Sequence, residues 1–181
     1  QGGVYKGLKP VLWCTQDQTA LAEAEVEYDD HVSPSVYVKF PVVTSPEVLG
    51  KTFSGVAFPE GIKLVSVVIW TTAPWTLPAN QAVCLHRDFE YAFVQVGDEL
   101  LIVAEKLLGS VAKACGITVY RVIGVKKGGE GFEGLETQRP ISTGLSPILL
   151  GDFVTLDQGT GCVHIAPGHG MEDYILVLDH N

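Results

Sequence analysis

Four strand-forming residues, Val67, Val68, Ile69 and Trp70, run without a break into Thr71-Thr72-Ala73-Pro74-Trp75-Thr76. Pro74 and Pro78 bracket the turn. β-Branched and aromatic side chains suit a pleated, buried surface, whereas proline fixes φ and removes a backbone donor. The stretch Val67–Asn80 is therefore expected to be a buried strand that stops abruptly in a stiff turn carrying hydroxyls. Such a turn can present polar groups at the rim of a pocket. The same residues also fit a plain strand end in which threonine serves β propensity alone.

A second stretch, Gly159–Tyr174, supplies the ionisable groups that the first lacks. Gly159, Gly161, Gly168 and Gly170 permit close backbone approach. Cys162-Val163-His164 alternates like a strand, Ala166-Pro167 turns the chain, and Asp173 falls at the start of a helix. Three chemistries compete for these residues. A metal could be held by His164, His169 and Asp173, but their spacing crosses a glycine turn instead of riding one helix face. A Ser or Cys nucleophile could pair with His164, yet no strand–nucleophile–helix elbow is present. Asp173 could instead pair with a cation in a small-molecule pocket that His164 helps to shape. A purely structural alternative makes Asp173 a helix cap and His164 a satisfied core histidine.

At 181 residues, with 46% hydrophobic content and positive mean hydropathy, the chain suits one globular domain with a sizeable core. No run of about 18 apolar residues suggests a membrane span, and Gln1–Pro10 does not read as a signal peptide. A net charge of −9 argues against a free-standing, sequence-blind nucleic-acid binder, since phosphate neutralisation drives such binding. Cys14, Cys84, Cys115 and Cys162 form no CxxC pair, so buried reduced thiols in an intracellular protein are expected, with neither zinc site nor disulfide framework.

In chain order, Lys9–Cys14 suggests an entering strand. Within Thr19–Tyr28, an extended segment from Ala24 is expected to pair with the alternating Ser35–Val43; the carboxylates there read as a solvated face. Ser45–Glu60 reads as loop. Lys63–Trp70 and Ala82–Leu85 read as strands, and Tyr91–Val96 with Glu99–Val103 as a hairpin across Gly97-Asp98. Ala104–Cys115 has helical spacing with Gly116 at its C-cap. Thr118–Val125 reads as a strand, Lys126–Arg139 as a loop pinned by Phe132 and Leu135, Ile148–Leu150 and Phe153–Leu156 as short strands, and Met171–Leu178 as a helix with acids in its first turn. The expected fold is mainly β with peripheral helices (α+β), around a closed, barrel-like core.

WTTxPWTLPAN together with GTGxVHxAPGHGxEDY resembles the editing domain of isoleucyl-tRNA synthetases, the insertion that interrupts the class I catalytic domain. WCTQDQTALAEAEVEY resembles the strands by which that insertion is entered. The matches run in order from about Lys6 to Tyr174. The Pro-Trp after the threonines looks isoleucyl, where valyl and leucyl relatives usually carry Arg-Pro and an acid. The HIGH and KMSKS signatures of the catalytic domain are absent.

The resemblance implies a single editing domain over 1–181, cut from a longer synthetase, with 1–10 and 175–181 as linker regions. It implies hydrolysis of valine wrongly attached to isoleucine tRNA, with valyl-adenylate as a further substrate, in a cytoplasmic or organellar synthetase. One missing methylene is worth only about 1–3 kcal/mol in an apolar pocket, a limit for which this same enzyme family is the standard illustration. A second, smaller pocket is then needed. Carried over by position, Asp173 grips the α-ammonium, Thr71 and Thr72 hold the ester and attacking water, and His164 is the steric gate. Trp75 and Thr76 border the pocket or the terminal adenosine. No metal or cofactor is implied. The partners implied are the valine-bearing 3′ end of the tRNA and the catalytic domain of the same chain, with no membrane and a monomeric isolated domain. Ala73 departs from the three consecutive threonines common in the family. The rival expectation is a non-catalytic, tRNA-positioning insertion with a decayed pocket.

Overall fold

The computed structural model describes residues 3, 4, 6–30 and 32–180. Gln1, Gly2, Tyr5 and Asn181, which belong to the expected linker regions, lie outside the described residues, as does His31. Eleven strands and three α-helices are described, so the mainly β reading with peripheral helices holds.

A two-stranded ribbon, β1 (Leu12–Cys14) with β2 (Thr19–Leu21), stands at the start of the chain. Five strands form the larger sheet: β3 (Val36–Pro41), β4 (Leu64–Thr71), β6 (Glu90–Val96), β7 (Glu99–Ala104) and β8 (Arg121–Lys127). Their order is β3-β4-β7-β6-β8. A second sheet is built from β5 (Ala82–Leu85), β9 (Glu136–Gln138), β10 (Leu145–Leu150) and β11 (Val163–Ile165), in the order β11-β5-β10-β9. The two larger sheets share a seam, because Val42 bridges Thr137 and the Val43 N–H meets the Glu136 carbonyl at 2.9 Å. The strands are thus distributed over joined sheets, and no closed ring is described.

β4 is the spine of this arrangement. Val65, Val67, Val68 and Ile69 are all buried, as expected for a strand covered on both faces. It pairs antiparallel with β3 and parallel with β7. In the same core Phe53, Phe93 and Phe132 meet with ring centroids 4.6 to 5.7 Å apart, within the range of tilted and offset aromatic packing. Phe132 is fully buried and pins the glycine-rich 126–139 segment as expected, but that segment is not all loop: β8 runs to Lys127 and β9 forms at Glu136–Gln138 against β10.

Several expectations are corrected. The 24–28 segment does not pair with β3. Residues Glu23–Glu25 form a 3₁₀ turn instead, closed by the Glu25 carboxylate accepting the Ala22 N–H at 2.7 Å, and β3 spends its alternation on β4. The 45–60 segment contains α1 (Pro46–Thr52), with Pro46 in its first turn and Leu49 buried. The 104–115 helix is a 3₁₀ turn, Glu105–Leu107, continued by α2 (Leu108–Ala114). Strand β8 starts later than expected, and 153–156 forms no strand. Helix α3 (Met171–Asp179) continues through most of the expected linker 175–181. Of the cysteines, Cys84 and Cys162 are buried, Cys14 is intermediate and Cys115 exposed.

Close packing singles out one glycine on the return from β8. A Cβ on Gly128 would fall 2.1 Å from the His86 carbonyl oxygen. Gly128→Ala is expected to lower unfolding free energy by about 1–3 kcal/mol, as overpacking does, with an unchanged m-value in urea.

Candidate active site

Strand β4 ends at Thr71, whose Oγ1 accepts the Ala73 N–H at 3.0 Å and so turns the chain. A 3₁₀ helix, Pro74–Ala79, follows and leads into β5. Within it Thr76 and Leu77 are buried, while Trp75 stands 66% exposed. Strand β11 lies antiparallel to β5, with His164 opposite Val83. This register places His164 beside the turn that leaves β4, 88 positions away from Thr76 in sequence.

The imidazole is buried, with the residue only 8% exposed, and both ring nitrogens have partners. Nε2 lies 2.8 Å from Thr76 Oγ1, and Nδ1 lies 3.1 Å from Asn80 Nδ2. The Asn80 amide is oriented by its neighbours: Nδ2 donates to the Ala82 carbonyl at 2.8 Å, and Oδ1 accepts the Ser146 hydroxyl. An N–H therefore faces Nδ1, which must accept, so the ring hydrogen sits on Nε2 and is donated to Thr76. Thr76 passes its own hydrogen to the Ala73 carbonyl at 2.8 Å. The chain Ser146–Asn80–His164–Thr76–Ala73 is closed and polar inside apolar surroundings. Burial, then the nearby His169, lowers the His164 pKa to about 4.

Asp173 occupies the third position of α3, whose N-cap is Gly170, so it is not the helix cap. Its Oδ2 accepts the Ala166 N–H at 2.7 Å. No Lys, Arg or His among the described residues forms an ion pair with it. Burial raises its pKa against the opposing pull of the Ala166 N–H. A half-buried carboxylate without a cation is the complement of an incoming ammonium. It lines a cavity of about 280 Å³ together with Trp70, Phe153, Thr160, Cys162 and Val163.

Among the expected site residues, the structure thus joins His164 to Thr76 and sets Asp173 in one cavity with Trp70, the neighbour of Thr71. Thr71 and Ala73 are half-buried at the mouth of the turn, and Thr72 and Trp75 are exposed. Neither these four nor His164 and Thr76 line the cavity itself; of the expected site residues Asp173 alone does. A larger cavity, about 470 Å³, lies elsewhere, between α3 and the 150–153 turn, and contains none of the expected residues. Asn80 and Ser146 carry no mark in the sequence beyond the position of Asn80 at the close of the Val67–Asn80 stretch. No group of three or more His, Cys, Asp or Glu among the described residues could hold a metal ion. No described helix is long and apolar enough to cross a membrane.

Solved structures share this fold. The editing domain of the P. falciparum cytosolic leucyl-tRNA synthetase superposes with a TM-score of 0.66 at 18% identity, covering 81% of this chain and 66% of that one. Its P. knowlesi counterpart gives 0.67 at 14% identity, covering 80% and 62%. The architecture is therefore that of a synthetase editing domain. Residues 1–149 match the family model of class I tRNA synthetases (I, L, M and V), and the chain belongs to that family. It is 51% identical over 174 residues to the isoleucine–tRNA ligase of Moorella thermoacetica, covering 96% of this chain and 17% of that protein. Against the enzyme of Petrotoga mobilis it is 48% identical over 180 residues, covering 99% and 18%. The chain spans less than a fifth of the length of these relatives.

The lowered His164 pKa has a definite sign. Between 6.5, the ordinary value, and about 4 the unfolded chain binds a proton that the fold refuses, so stability falls as pH drops through that window. Asn80→Asp turns the donor facing Nδ1 into an acceptor. NMR titration should then place the His164 pKa above about 4, and the acid-side loss of stability should shrink.

Proposed function

We propose that this chain proofreads by hydrolysis, removing valine wrongly esterified to isoleucine tRNA, with valyl-adenylate as a second substrate of the same chemistry. The observation that carries this reading is the uncompensated Asp173 carboxylate in the cavity it shares with Trp70. Every aminoacyl ester offers an α-ammonium, and pairing with it stabilises the ionised carboxylate that burial disfavours. The cavity, at about 280 Å³, lies at the small end of ligand sites, which run from about 300 to 1,000 Å³. Small size suits a sieve that admits valine and rejects isoleucine.

Asp173 takes its role from its surroundings, and the other residues take the roles that the resemblance implies. Asp173 anchors the ammonium and thereby fixes the ester. His164 is neutral and rigidly held, with no proton to spare for catalysis; it follows the cavity-lining Val163 without lining the cavity itself, so its part as steric gate rests on the resemblance. Thr76 holds its ring in place. Thr71 and Thr72 stand at the end of β4, next to the cavity-lining Trp70 but outside the lining, and the resemblance gives their hydroxyls the ester and the attacking water to order. Trp75 is an exposed aromatic face suited to stacking on the terminal adenosine. The nucleophile is water, helped by the free ribose hydroxyl of the substrate. The tRNA and the catalytic domain of a longer synthetase are the partners, and the net charge of −9 assigns most tRNA affinity to that larger body.

Deacylation assays test the reading. The chain should hydrolyse valyl-tRNA(Ile) and spare isoleucyl-tRNA(Ile), and Asp173→Asn should reduce the rate by about 10- to 100-fold, the worth of one charge-assisted hydrogen bond. A parent chain without deacylase activity would leave the non-catalytic, tRNA-positioning role in its place. Ala73→Thr restores the third hydroxyl of the family pattern and should raise kcat/KM by about 2- to 10-fold; an unchanged rate would remove position 73 from the catalytic account.

A further inference from the structure

One wall of the cavity that Asp173 lines is the glycine-bearing loop 158–162. A loop of this composition is flexible unless something holds it. It is held from behind at successive residues. Gly159 packs on Trp70, where an added Cβ would lie 3.0 Å from Cε3. The Thr160 carbonyl accepts the Ala104 N–H at 2.8 Å, and Thr160 Oγ1 accepts the Cys162 N–H at 3.2 Å. Gly161 leaves no room for a side chain, since its Cβ would fall 2.4 Å from that of Ala104. Its carbonyl accepts a 2.8 Å hydrogen bond from the phenol of Tyr91, 70 positions away.

Tyr91, in β6 of the larger sheet, is fully buried. Its hydroxyl also accepts the His86 N–H at 2.9 Å, which orients the hydroxyl hydrogen toward Gly161. The ring rests on Phe132 with centroids 5.8 Å apart. Burial pushes the phenol well above its ordinary pKa, so the donor stays protonated. One side chain therefore ties the end of β5 to the loop that leads into β11 and His164.

We infer that Tyr91 is a positioning residue for substrate selection: through the Gly161 carbonyl it fixes the backbone wall of the cavity and, three residues further on, the gate residue His164. The inference rests on the proofreading reading for its functional consequence and on hydrogen bonding for its structural one. Tyr91→Phe keeps the ring and its packing on Phe132 and removes the hydroxyl, and with it both the bond to Gly161 and the acceptor of the His86 N–H. Gly161→Ala attacks the same loop from the other side, at a φ of +72° that disfavours a side chain. Leu49→Ala, in α1 and outside the loop, serves as a control for general destabilisation.

The experiment combines amide hydrogen exchange with steady-state deacylation of valyl- and isoleucyl-tRNA(Ile) by the parent chain and the three variants. Tyr91→Phe and Gly161→Ala should accelerate exchange across 160–163 by about tenfold or more while leaving β4 and β7 protected. Both should reduce discrimination between the two esters by about tenfold, chiefly by raising kcat/KM for the isoleucyl ester, with kcat for the valyl ester within about twofold. Leu49→Ala should leave loop exchange and discrimination unchanged below its Tm. Unaltered loop exchange in Tyr91→Phe overturns the inference. So does a loosened loop with discrimination intact in an active parent chain. A parent chain with no deacylase activity overturns the proofreading reading itself, and the selective role of Tyr91 with it.

Discussion

A histidine cannot remain in an apolar interior unless both ring nitrogens are satisfied. His164 meets that requirement through a chain of donors that begins on β10 and ends at the turn after β4. All of its partners lie on elements other than the strand that carries it. The register of β11 on β5, the parallel seating of β10 on β5 and the exit angle of β4 are thus conditions of one another. A one-residue slip of β11 would turn His164 to the opposite face and break its bonds to Thr76 and Asn80. The polar thread gives the four-stranded sheet its alignment, and the apolar side chains around it supply the bulk of its cohesion.

The two ionisable residues of the site differ in kind. His164 is satisfied by the protein and kept neutral by burial, so nothing further is asked of its charge. Asp173 accepts the Ala166 N–H and forms no ion pair among the described residues, and burial opposes its ionisation. Uncompensated groups of this sort are costly to the fold and cluster where a ligand completes them. The contrast is between a histidine that the fold completes and a carboxylate that it leaves without an ion pair.

Local pattern carries the larger sheet. Strand β4 is legible from its unbroken β-branched run, and β6 with β7 from alternation around Gly97-Asp98, because in both cases near neighbours in sequence decide the structure. Helix α1 is hidden among Gly, Pro and Ser, although Ser45, Pro46 and Glu47 are ordinary helix-start residues; a two-turn helix is too short to show periodicity. The 153–156 segment is apolar enough for a strand but finds no partner ladder. His164 and Asp173 stand out because glycines frame them. Asn80, Ser146 and Tyr91 do not, since each acts on a group 66 to 84 positions away. A hydrogen bond of that span leaves no periodic trace, and an isolated Asn, Ser or Tyr looks like any other.

The seam at Val42 and Thr137 bears on how the cavity behaves. Its wall is drawn from both sheets, Trp70 from one and Val163 from the other. Sheets free to hinge would let an oversized guest spread them apart. Laced together along one border, they hold the walls of the cavity at a spacing settled when the polypeptide folds. The stiffness of that pocket is a property of backbone pairing many residues removed from the side chains that line it.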